Sequence, residues 1–116
     1  MHYGDAVKGE ISTDGATGGV AVTLYPSGST TARTLQSNEF LTITDIVFVS
    51  TAGGAYALVA DTDVAGLRIV KGDAEVLGGL VVNFTRPITC PKGVTPKLFA
   101  DTGQVDLTIS GYITQV

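Results

Sequence analysis

Apolar and polar residues alternate along much of this chain, and nowhere do they settle into a helical spacing. The clearest case is the segment 104–114. Val105, Leu107, Ile109, Gly111 and Ile113 fall on one face, while Gln104, Asp106, Thr108 and Ser110 fall on the other. That period of two predicts a strand packed on a core from one side. Tyr112 is the exception, an aromatic ring on the otherwise polar face. In the segment 40–50, Leu41 and Ile43 alternate with Thr42 and Thr44, but over 46–49 both faces become apolar. A strand apolar on both faces is covered on both faces. In a two-layer sandwich one of those covers must come from elsewhere, and a second subunit is the simplest source.

Applied to the whole chain, the same pattern predicts strands at 20–25, 40–50, 55–61, 67–71, 76–85 and 104–114, with shorter ones at 6–12, 33–35, 88–90 and 97–100. Val, Ile and Thr dominate them, as strand packing favours. Turn residues separate them at Pro26-Ser27-Gly28, Gly53-Gly54, Lys71-Gly72-Asp73, Pro91-Lys92-Gly93 and Asp101-Thr102-Gly103. Short strands with a turn signal every ten residues or so predict a sandwich or barrel. Residues 1–19 are rich in glycine and poor in large apolar groups, and 13–19 reads as a flexible turn or linker. The expected organisation is therefore an N-terminal arm, 1–19, followed by one domain, 20–116.

Composition narrows the chemistry. The chain has 116 residues, 44% hydrophobic and only 16% charged, with a net charge of −4. Its basic residues, Lys8, Arg33, Arg68, Lys71, Arg86, Lys92 and Lys97, are scattered singly, whereas nucleic-acid binding needs clustered positive charge. No apolar run is long enough to span a bilayer, and the N-terminus lacks the apolar core of a signal peptide. Neither nucleic acid nor a membrane is expected as a partner. The sole histidine, His2, lies at the N-terminus, so no Ser/His or Cys/His pair is expected. Cys90 is alone and reads as a small buried thiol, and one Cys with one His makes no zinc site. Asp61 and Asp63, with Asp101 and Asp106 as further candidates, are the nearest approach to a cation site or a hydrolytic carboxylate pair. Their spacing fits no calcium loop, and Asp at strand ends commonly forms turns. Glycines 53, 54, 78 and 79 do not follow a phosphate-cradling spacing, and Asn83-Phe84-Thr85 lies inside an apolar strand, an unsuitable place for a glycan. The expectation is a protein that is not an enzyme, with no cofactor, no metal and no small-molecule substrate.

Several segments carry a resemblance. The run Leu41-Thr42-Ile43-Thr44-Asp45-Ile46-Val47, then Gly79-Leu80, Phe84, Pro87-Ile88, Gly93 and Leu98, and the closing Val105-Asp106-Leu107-Thr108-Ile109-Ser110-Gly111-Tyr112 resemble small jelly-roll proteins of tailed bacteriophage particles. Their topology is like that of tumour necrosis factor, and they commonly form trimers. The best-known members are head decoration, or cement, proteins. The likeness covers roughly residues 35–116 and implies an all-β, antiparallel jelly-roll β-sandwich. It further implies a homotrimer, made in the host cytoplasm, that sits on the capsid surface of the virion and clamps the major capsid protein, with the arm as a linking element. A face assignment by simple alternation puts Ile46 and Phe48 with Thr42 and Thr44, and Tyr112 with Asp106, Thr108 and Ser110. The expected trimer interface is thus Ile46, Phe48 and Tyr112. The alternative expectation is a fibre or tail-tip module that recognises a host surface glycan, for which a chain with no Trp and four Tyr offers few rings.

Overall fold

The computed structural model describes residues 5–60, 68–75 and 77–115. Seven strands account for most of them: β1 (Asp5–Ala21), β2 (Thr23–Pro26), β3 (Glu39–Ser50), β4 (Gly54–Val59), β5 (Arg68–Ala74), β6 (Gly78–Thr89) and β7 (Lys97–Gln115). Every pairing is antiparallel, and the described residues contain no helix. The expected class, all-β and jelly-roll-like, is the one found.

The architecture is one sheet folded over on itself. The long strands β1 and β7 pair from Asp5↔Ile113 to Ala21↔Lys97. On its other edge β7 pairs first with β3, from Glu39↔Gln115 to Ser50↔Val105, and then with β4, from Tyr56↔Ala100 to Val59↔Lys97. Thus β3 and β4 are two halves of one path along β7. Likewise β6 lies beside β3 and β5 beside β4. Each path bends at the same level: β1 at Gly15 (φ 88°), β7 at Gly103 (φ 106°), β3–β4 at Gly53 and Gly54 (φ 74° and 93°), and β5–β6 at Leu77 (φ 57°). Backbone bonds tie this crease together, Thr51 N donating to Gln104 O at 2.9 Å and Leu77 N to Thr51 O at 3.3 Å. Positive φ is free of Cβ strain only for glycine. The crease therefore uses glycine on every path but the outermost one.

Folding at the crease brings the two halves face to face around a single core. Leu41, Ile43, Ile46, Leu107 and Ile109 from one layer and Leu58 and Leu98 from the other are all nearly inaccessible to water. The rings of Phe48 on β3 and Tyr56 on β4 meet across the fold, with centroids 4.8 Å apart. Each such side chain contributes about 1.5–3 kcal/mol on leaving water.

Two expectations change. Residues 5–19 are not an arm: they lie within β1, which pairs with β7 along its length and with β2 over Val7 to Glu10, and they bury Val7, Ile11 and Ala16. The inward row there is Val7, Gly9, Ile11. Gly9 completes it because a Cβ at that position would lie 2.3 Å from Val22 Cγ1 and 2.6 Å from Ile109 Cγ1. Glycine here marks close packing rather than flexibility. Residues 1–4 lie outside the described residues. Second, the ten predicted strands condense. The segment at 88–90 joins β6 through Pro87, that at 97–100 joins β7 through Gly103, and that at 33–35 makes only a bridge between Arg33 and Leu24.

Candidate functional site

The expected interface residues separate once the bend in β3 is seen. Between Ile43 and Asp45 the register slips against both neighbours, by one residue against β7, a β-bulge, and by three against β6. Side chains before the slip alternate with Leu41 and Ile43 inward; after it, Ile46, Phe48 and Ser50 point inward. A bulge exchanges the two faces of a strand. Ile46 and Phe48, expected at a trimer interface, are consequently core residues at 1% and 2% exposure. Tyr112 does lie on the outward face, half-buried, opposite Ala6 and Thr42. The structure does not bring it together with the other two. Asp45 was the available signal for the slip, since Asp is disfavoured within strands. Thr44 Oγ1 donates to Asp45 Oδ2 at 2.9 Å there.

The slip turns Val47 and Val49 outward. They are 44% and 45% exposed, and only two other large hydrophobic residues among those described are as open to solvent: Leu77 at 76% and Val81 at 67%. All four belong to one place. Val47 pairs with Val81, Val49 pairs with Gly79, and Leu77 stands in the turn just before β6, its N–H bonded to Thr51 O just beyond β3. The result is a continuous apolar patch on the outer face of β3 and β6 at the crease. Thr108 and Asp106, opposite Val47 and Val49 on β7, form its polar border. Leu77, Val47, Val49 and Val81 were missed as a set because alternation without the bulge assigns the two valines of β3 to the core.

The opposite end of β3 is polar and closed. The Glu39 side chain is 1% exposed. Its Oε2 accepts from Arg33 Nη2 and its Oε1 from Gln36 N at 2.8 Å, while its own carbonyl accepts from Gly93 N at 2.7 Å. The Arg33 guanidinium, followed by the Gln36 amide, holds the Glu39 carboxyl below its ordinary value against the opposing effect of burial. Arg33 Nη1 is buried without a partner among the described residues. This ion pair fastens the loop between β2 and β3 to the sheet.

The other sequence candidates resolve as follows. Cys90 is buried, and burial alone pushes its thiol up to about 11, which leaves it protonated and a poor nucleophile at neutral pH. Asp61, Asp63 and His2 lie outside the described residues. Asp101 Oδ2 accepts from Ala55 N at 3.0 Å, joining β7 to the neighbouring β4 just beyond the crease, and Asp106 lies beside the patch. No group of three or more His, Cys, Asp or Glu able to hold a metal occurs among the described residues. The chain matches no family model, no curated protein and no solved structure.

Proposed function

We propose that this is a non-enzymatic structural protein that assembles as a homotrimer through the outer face of β3 and β6. Following the resemblance of its strands to phage decoration proteins, it serves as a cement protein on the outer surface of a virus head, bound to the major capsid protein. The observation that supports this reading best is the patch. Of the four exposed large hydrophobic residues described, Val47, Val49 and Val81 share one face of two adjacent strands, and Leu77 stands in the turn that leads into the second. Single apolar side chains scattered over a surface need no explanation, but a contiguous set rimmed by polar groups marks a contact surface. Burying one such side chain contributes about 1.5–3 kcal/mol, and a threefold axis repeats each contribution three times. A trimer would then hold its shell by three linked contacts, which raises avidity by about 10²–10⁴ over one contact. Quantitative mass spectrometry of purified particles tests the role: the account predicts the chain in copies that scale with the capsid protein. Its presence in a handful of copies per particle, or its absence, would count against a cement role.

A further inference from the structure

The loop after β2 borders an open groove of about 1030 Å³ on the outer face of β1 and β7, at the end of the sheet away from the crease. That volume is at the upper end of small-ligand sites. Two tyrosines line it. Tyr25 stands opposite Lys8 on one side of β1, and Tyr112 stands opposite Ala6 on the other. Two strand spacings and two residues of offset put their Cα atoms roughly 12 Å apart. Between them lie Ala6 and Lys8 of β1 and Ser110 and Gly111 of β7.

The lining is rich in hydroxyls and nearly free of net charge. Ser27, Ser29, Thr30, Thr44 and Ser110 contribute to it. The Ser29 and Thr44 hydroxyls are engaged within the chain, with Thr31 N at 3.1 Å and with Ser110 O at 3.1 Å. The hydroxyls of Tyr25, Tyr112, Ser27 and Ser110 have no protein partner among the described residues. The one cation, Lys8, sits 2.9 Å from Glu10 Oε1, so its charge is matched before any ligand arrives. The groove is also preformed: Ser27 N donates to Ala6 O at 3.0 Å, Arg33 N donates to Leu24 O at 2.8 Å, and the Arg33–Glu39 pair anchors the loop's far end. A preformed site loses less entropy on binding.

Two aromatic rings fringed with unengaged hydroxyls, with the one nearby cation already paired, complement a ligand with apolar ring faces and many hydroxyls. We propose that this groove binds a neutral oligosaccharide, one sugar ring resting on Tyr25 and another on Tyr112, with sugar hydroxyls bonded to Ser27, Ser110 and the phenol groups. The site goes beyond the assembly role and does not depend on it, since none of the four patch residues lines the groove.

The test is titration of the whole chain with uncharged hexasaccharides of glucose, mannose and N-acetylglucosamine, followed by NMR of the tyrosine rings. At least one of them should shift the ring signals of Tyr25 and Tyr112 together and leave Tyr56 unmoved. Tyr112→Ala should weaken binding about tenfold, the loss of one stacked ring, while Tyr112→Phe retains most of it. The ring shifts in the unsubstituted chain answer the question even if Tyr112→Ala does not fold. The proposal is overturned if no hexasaccharide moves these rings. It is equally overturned if a proline-rich peptide or a polyanionic saccharide moves them more strongly.

Discussion

β3 begins and ends in opposite ways. At Glu39 a carboxylate is almost wholly removed from water, yet an arginine and the Gln36 backbone amide compensate it within the same chain. At Val47, Val49 and the neighbouring Leu77 and Val81, apolar groups that gain by burial remain in water. At the first end the opposite charges are matched within one copy. The second leaves apolar surface in water, which on the proposed reading a second copy covers. The backbone repeats the contrast: the crease is turned by glycine on the inner paths and by Leu77 on the outer one, although a left-handed leucine costs about 1–2 kcal/mol. A strained and exposed leucine is explained if its side chain is used outside the fold.

Substitutions sharpen that comparison, beginning with the closed end. Glu39→Ala leaves Arg33 partly buried without its counter-charge and should cost on the order of 3 kcal/mol in urea unfolding. It should not alter the state of association. The same carboxyl predicts an acid dependence. Its folded value lies below the ordinary 4.5, so the stability it contributes is present above about 4.5 and is lost as pH falls through the lower folded value. Glu39→Gln should flatten that part of the stability profile, and an unchanged profile would remove Glu39 from the account. At the crease, Gly103→Ala places a Cβ 2.4 Å from that of Ala52 in a conformation that disfavours it, for an expected loss of about 2 kcal/mol. Leu77→Gly should act in the reverse direction. It relieves strain and should stabilise the isolated fold by about 1 kcal/mol in urea while weakening association. If it destabilises the fold and spares association, Leu77 serves the chain itself.

The alternation of β7 was fully legible, because its inward row from Val105 to Ile113 follows one period without interruption. β3 was legible as a strand with two apolar faces but not as to which face is which. That depends on one slipped residue at Thr44-Asp45, and a bulge is a feature of two paired strands rather than of one sequence. The glycines misled in a consistent way. Asp101-Thr102-Gly103 and Gly53-Gly54 carry turn chemistry, yet paired neighbours on both sides turn these positions into bends of continuous paths rather than chain reversals. In β1, Gly9 counts toward a glycine-rich arm poor in apolar groups until Val22 and Ile109 are seen filling its place. The groove was invisible at the level of sequence because Tyr25 and Tyr112 are separated by most of the chain and meet only across β1.

The central claim, that the outer face of β3 and β6 is an interface between copies, is tested most directly by sedimentation of Val81→Asp beside the unsubstituted chain. Val81 is 67% exposed in the single chain, so an aspartate there should leave the sheet spectrum and the unfolding midpoint of the monomer almost unchanged. In a trimer it would set like charges into a dry contact, where uncompensated charge is strongly unfavourable. The account predicts that the unsubstituted chain sediments at three times its 11.9 kDa mass and the variant at that mass alone. Identical sedimentation of the two, whether as trimers or as monomers, would contradict it.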